Sequence, residues 1–270
     1  MTSIGVLGTG PFGFELLAGS PSTAVKVRQH FLETLARRRP AGSLVVIEAG
    51  GQPMPGDLPE PEPGALRCSF LDGLIPAWHS PVRNETWAAV PGWFLSPGSI
   101  RAVGHLLIPI FYAAAYGAAG EDLGAVLFHA SAVEVVPRHA ALFMAPSEGG
   151  KSTIARLAGA GRPVLHEEVV VVAARGRGFA VSSGPWAGYR TRSGRGAVPL
   201  SGLFLLEKAR QHRITAGEPA ELHARVLAQM VLAQDFRDRP KRAVFESMVR
   251  FCDRLCRCLP PRVLEFSPDE

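Results

Sequence analysis

The sequence predicts an α/β fold with a mixed sheet, preceded by a small α+β portion, and three observations predict it. The apolar run 141–144 stops at a Gly-Gly-Lys-Ser turn, and the helix-forming run 154–158 follows at once. Two further runs rich in β-branched residues, 125–136 and 164–172, flank that strand–turn–helix unit. Before residue 97 the apolar runs are short and broken by glycine and proline, with one helical pattern among them. Strand and helix patterns interleaved in this way build layered α/β domains.

The elements follow in order. Gly8-Thr9-Gly10-Pro11-Phe12-Gly13 matches the spacing of a dinucleotide fingerprint. Such a site needs a helix that starts inside the glycines, and Gly19-Ser20-Pro21 would stop it after about two turns, so a β-hairpin of 4–7 with 12–17 is expected. Val25, Val27, Phe31, Leu32, Leu35 and Ala36 predict an amphipathic helix over 23–38, and a strand is expected over 44–47. Residues 50–64 read as a surface loop, and 76–97 form a second Pro/Gly-rich stretch. The boundary is placed near Pro97, giving an accessory portion, 1–97, and a nucleotide-binding portion, 98–270.

Residues 100–119 are apolar, but they include Arg101, Gly104, His105, Pro109 and Gly117, which suits a buried helix better than a membrane span. The start lacks a basic segment followed by an apolar core, so no signal peptide is expected. Residues 125–136 and 140–144 read as paired strands about Pro137-Arg138-His139, and Gly159 and Gly161 stop the helix after the turn. A strand is expected over 203–206.

With 270 residues and 47% hydrophobic side chains, the chain can bury a proper core. Its net charge of +5 is unevenly spread. From 175 to 213, Arg175, Arg177, Arg190, Arg192, Arg195, Lys208, Arg210 and Arg213 face the single acid Glu207. That bias attracts anions. The stretch has only Phe179, Trp186 and Tyr189 as aromatics before Leu203 and carries no nucleic-acid module, so phosphates or an acidic peptide are the expected partners, and neither nucleic acid nor membrane is.

The four cysteines, Cys68, Cys252, Cys256 and Cys258, are too few for a disulfide framework. Val244, Phe245, Met248, Phe251, Cys252, Leu255 and Leu259 recur at helical spacing, which makes Cys252 a core residue with Cys256 one turn on. No histidine or fourth cysteine lies close in sequence, so these read as reduced thiols of a cytoplasmic protein and not as a zinc cluster.

The chemistry centres on Ala145-Pro146-Ser147-Glu148-Gly149-Gly150-Lys151-Ser152-Thr153. A loop of this kind between strand and helix offers backbone N–H groups and a helix N-terminus to phosphate oxygens. Lys151 would reach the β/γ-phosphates and the Ser152 hydroxyl would ligate Mg²⁺, which makes ATP the expected cofactor. Ala145 stands where the G-x-x-x-x-G-K-[ST] pattern has its first glycine. Its methyl group excludes positive φ, so a slight reshaping is expected there. Some fifteen residues past the lysine, Glu167 and Glu168 supply carboxylates for a base and for Mg²⁺. Neighbouring strand residues point to opposite faces, so one would face the phosphates and the other a metal or a supporting partner.

Phe128-His129-Ala130-Ser131-Ala132-Val133, the hairpin, the phosphate loop and His166-Glu167-Glu168-Val169-Val170 together resemble the HPr kinase/phosphorylase family over residues 120–265. The resemblance implies a P-loop fold similar to the nucleotide-binding part of phosphoenolpyruvate carboxykinase, and transfer of phosphate from ATP, with Mg²⁺, to a serine hydroxyl. Small relatives resemble tailoring kinases of biosynthetic precursor peptides. Carried over by residue, Ser147, Glu148, Gly149, Gly150, Lys151, Ser152 and Thr153 would hold nucleotide, and Ser152 with Glu168 the metal. Glu167, Glu168, His129 and Lys151 would be catalytic. Glu148 replaces a loop glycine, and both aspartates of the family's acid pair are glutamates here. A nucleotide-binding regulatory or scaffold protein with impaired catalysis is the alternative, and homo-oligomerisation stays open.

Overall fold

The computed structural model describes residues 1–9, 12–31, 42–63, 65–70, 74–80, 82–96, 106, 108, 111–112, 115, 123–159, 161–183, 197–231 and 241–267. It is a mixed α/β protein with two mixed sheets and, among the described residues, four α-helices. None of these helices is long and apolar enough to cross a membrane. The chain divides into two compact units: Met1–Gly120 with Pro185–Ala187 and Ala233–Lys241, and Glu121–Gly184 with Gly188–Leu232 and Arg242–Glu270.

The first unit is a six-stranded sheet in the order β1-β2-β3-β6-β5-β4. Strands β1 (Thr2–Thr9) and β2 (Phe12–Ala18) pair antiparallel with Gly8 opposite Gly13, so the glycine-rich opening is a hairpin and no dinucleotide-binding helix begins in it. Helix α1 (Pro21–Phe31) then crosses to β3 (Gly42–Ala49), which lies parallel to β2, as parallel neighbours require. Its start is set by Ser20, whose hydroxyl accepts from Thr23 N–H at 3.2 Å, and by Pro21 in the first turn. The expected continuation of this helix over 32–38 lies outside the described residues. Glu48 on β3 accepts from Lys26 at 2.6 Å and from Thr23 Oγ1 at 3.3 Å, which ties the helix to the sheet.

The Pro/Gly-rich stretch 76–97 contains strands. Strand β4 (Leu66–Phe70) precedes β5 (Ile75–Ser80) and β6 (Glu85–Pro91), which pair antiparallel. Pro76 and Pro91 sit near strand ends, where a missing N–H is tolerated. Between them Trp78 and Trp87 face each other across the ladder with rings stacked at 5.4 Å. Of the helix expected over 100–119, only five residues are described; Ile108, Phe111, Tyr112 and Ala115 are helical and buried.

The second unit holds the loop 145–153 and the acid pair Glu167-Glu168. Its eight-stranded sheet runs β11-β10-β7-β8-β12-β14-β13, and β9 adds to β7. The strands are β7 (Ala125–Val136), β8 (His139–Met144), β9 (Val164–His166), β10 (Val169–Arg175), β11 (Gly178–Ser183), β12 (Val198–Lys208), β13 (Arg213–Thr215) and β14 (Arg262–Phe266). Strand β12 runs parallel to β8 and β14 and also pairs with β11, so the sheet curls back on itself.

Helix α2 (Lys151–Gly159) leaves the end of β8. It packs Ala155, Ile154 and Ala158 on a core of Val133, Ala141, Phe143, Val164, Leu206 and Phe266. Phe143 also stacks on Phe204 at 5.4 Å. Helices α3 (Pro219–Leu227) and α4 (Lys241–Cys258) complete the unit.

Candidate functional site

Strand β7 holds the site because its two halves have different neighbours. Residues 125–129 pair with β10, and residues 130–136 pair with β8. His129 lies at that changeover. Its N–H donates to Gln229 O at 2.8 Å, and the next residue, Ala130, stands opposite Met144, the last residue of β8. The histidine is thereby set beside the strand end from which the phosphate loop departs. It is not the buried core residue that its apolar neighbours suggest: its side chain is 32% exposed, and Nε2 lies 3.1 Å from Glu168 Oε1.

The two acids do not lie within one strand. The run 164–172 divides into β9 and β10, and Glu167 and Glu168 occupy the bend between them, just before β10 starts. The break separates their environments. Glu167 is buried at 6% exposure, whereas the Glu168 side chain is 52% exposed and holds His129.

Two residues to which the sequence analysis gave no role shape this bend. His166, fully buried, accepts both Glu168 N–H at 3.1 Å and Val169 N–H at 3.3 Å on Nδ1, so that nitrogen carries no proton. Ser131, also fully buried, places its hydroxyl 3.1 Å from Lys151 O and 3.2 Å from Glu167 O. One side chain on β7 thus joins the first turn of α2 to the acid bend. Both are polar residues within otherwise apolar runs, and that was the available signal.

The loop 145–151 closes on its own lysine. Lys151 is 7% exposed, and Nζ donates to Ala145 O at 2.8 Å and to Pro146 O at 3.0 Å. Among the described residues these are two partners for three N–H bonds, which leaves one for an anion. Burial pushes the lysine below its ordinary 10.5, and the charge of Glu168 pulls it back up. The two groups therefore act on each other electrostatically across the site.

The backbone of the loop departs from expectation in an informative way. Ala145 is not among the described residues with positive φ, as its methyl group requires. The strained position is Glu148, at φ +62°. Gly149 N–H donates to Pro146 O at 3.1 Å, so 146–149 is a tight turn with Glu148 at its third position, the place that favours glycine when φ is positive.

The two glycines are required. A Cβ on Gly149 would lie 2.4 Å from Ala145 Cβ. A Cβ on Gly150, at φ +99°, would lie 2.3 Å from Phe266 Cζ.

The groups around the loop suit a phosphate and a hard cation. Ser152 is exposed at the start of α2, Thr153 is half-buried, and no acidic residue lies in that first turn to neutralise its positive end. Ser147 and Glu148 are exposed on the loop. The Ser152 hydroxyl and the Glu168 carboxylate are oxygen donors of the kind Mg²⁺ takes. Trp186, Arg190, Arg192 and Arg195 lie outside the described residues.

A cavity of about 660 Å³ lies in the first unit, at the ends of β3 and β6, and its walls include Glu48, Gly50, Gly51, Pro91 and Trp93. None of the sequence-predicted site residues lines it. It carries one acid and no convergent chemistry, so the phosphate loop remains the stronger site. No protein-family model matches this chain, and no curated protein matches it.

Proposed function

We propose that this protein is an ATP- and Mg²⁺-dependent kinase of the HPr kinase-like P-loop type, transferring phosphate to a serine hydroxyl of a peptide, protein or small molecule. The observation that carries the reading is a buried loop lysine, Lys151, within electrostatic reach of a histidine-held carboxylate, Glu168, while Ser131 joins the backbone carbonyls of Lys151 and Glu167.

In this reading Lys151 keeps the loop closed with two N–H bonds and gives the third to the β/γ-phosphates, while the loop amides and the start of α2 hold the remaining oxygens. Mg²⁺, when bound, neutralises charge on the phosphoryl oxygens, and Ser152 is the hydroxyl that would hold it. His129 donates Nε2–H to Glu168 Oε1 and fixes the carboxylate, so its other oxygen can accept the proton of the serine hydroxyl. That use competes with Glu168 as a metal ligand, because only one oxygen is left. The histidine favours the base, since orienting a base is what such a pair does. Glu167 is buried and supports the bend. Arg175, Arg177 and Arg213 suit an acidic peptide as acceptor.

The test is transfer of labelled γ-phosphate from ATP to serine-containing acidic peptides. Glu168→Gln should lower the rate at least about a hundredfold with ATP binding retained. Wild-type protein that binds ATP yet transfers nothing would sink the kinase reading. It would favour the regulatory alternative, for which Glu148 speaks, since it sets a negative charge on the loop.

A further inference from the structure

The other convergence of reactive side chains lies in the same unit and shares no residue with the phosphate loop. Cys252 and Cys256 are one turn apart on α4, so their sulfurs share a face, and Sγ to Sγ is 4.0 Å. Helix α3 brings His223, 29 residues upstream, against them: the Cys252 thiol lies 3.9 Å from His223 O. A ring nitrogen of His223 and the two sulfurs all fall within 4.8 Å of one another. Cys252 is fully buried, and Cys256 and His223 are half-buried. His223 Nε2 is itself buried and, among the described residues, has no hydrogen-bond partner. A histidine far from the cysteines in sequence is thus brought beside them in the fold.

From these residues we infer that His223, Cys252 and Cys256 form a binding site for a thiophilic divalent cation of the zinc class. Tetrahedral zinc, with bonds of about 2.3 Å to sulfur and about 2.0 Å to nitrogen, holds its sulfurs about 3.8 Å apart, so the thiols already stand at nearly the required separation. Two thiolates and an imidazole are donors that select zinc over magnesium or calcium. Three protein ligands leave the fourth position to water or to an external group, and half-buried Cys256 gives access to it.

The site would clamp α3 to α4. Helix α4 is itself fixed to β11 by Phe251 against Phe179 at 5.4 Å, with Arg254 over both rings. Helix α3 is tied to β12 by Arg225 and Glu207 at 2.7 Å. Binding the folded chain and not the unfolded one, the metal should raise the melting temperature.

The test is a Co²⁺ titration of the reduced, metal-free full chain under anaerobic conditions, followed by displacement with Zn²⁺. One Co²⁺ per chain is expected, with sulfur-to-cobalt charge-transfer bands and the strong visible bands of tetrahedral coordination. Saturating Zn²⁺ should raise Tm by about 5 °C or more. His223→Ala and Cys256→Ser should each weaken binding at least about tenfold, and Cys258→Ser should not. Cys252 is fully buried, so the half-buried positions carry the test, with His223→Gln as a second variant and metal-free melting curves as the check on folding. Absence of these bands, affinity unchanged by the folded His223 variants, or a Cys252–Cys256 disulfide that takes no metal after reduction would each overturn the inference.

Discussion

Glu148 sits at φ +62° in the turn 146–149, with its side chain exposed and its charge on the phosphate-binding loop, and substitution there separates two effects. Left-handed backbone costs an L-residue about 1–2 kcal/mol. Glycine removes that cost but adds about 0.5–1 kcal/mol of freedom to the unfolded chain. Glu148→Gly should therefore stabilise the protein by about 0.5–1 kcal/mol, a rise in Tm of about 1–4 °C.

Removing the carboxylate also removes a repulsion from bound polyphosphate, which at exposed sites is worth about 1 kcal/mol per close charge, or about fivefold in Kd. Glu148→Gln removes the charge and keeps the backbone strain, so it should tighten Mg·ATP binding without raising Tm. Thermal melts and calorimetry at low and high salt read the two effects apart, and the affinity gain should shrink as salt screens it. A lower Tm for Glu148→Gly, or an unchanged Kd for both variants, would refute the reasoning.

Other outcomes follow from the same geometry. Gly150→Ala combines positive φ with a collision against Phe266 and should destabilise by about 2–4 kcal/mol, seen as a drop in denaturation midpoint; a shorter side chain at 266 should recover part of it. Ser131→Ala removes the hydroxyl between Lys151 O and Glu167 O and should cost about 1–3 kcal/mol by denaturant unfolding, with a fall in any transfer rate. Lys151 is held below 10.5 by burial, so the unfolded chain binds more protons and stability rises with pH between the folded-state value and 10.5. Glu168→Gln removes the charge that opposes this, so the lysine should titrate still lower and the rise should grow, as NMR titration of labelled lysine and melts across that range would show.

The strand–loop–helix unit was legible because its signals are contiguous: a strand end, two glycines, a lysine and a helix start lie within ten residues. The hairpin at residues 2–18 was legible from punctuation, since Gly19-Ser20-Pro21 leaves no room for a long helix before it. The strands within the Pro/Gly-rich stretch 76–97 were not individually legible, because Pro76 and Pro91 stand near strand ends and leave the tryptophan pair to build the ladder. The break between β9 and β10 falls at Glu167-Glu168 itself; it depends on His166 accepting two backbone N–H groups, a local arrangement without a sequence period. The His223–Cys252–Cys256 cluster was out of reach for a similar reason, since no local spacing joins residues on two helices.

The proposed kinase requires the loop 145–153 to cradle a nucleotide. Calorimetry with Mg·ATP on wild type and on Lys151→Met, each shown to be folded, tests it. Magnesium-dependent binding to wild type that is lost in the variant is the predicted result. A wild type that binds neither ATP nor GTP would contradict it.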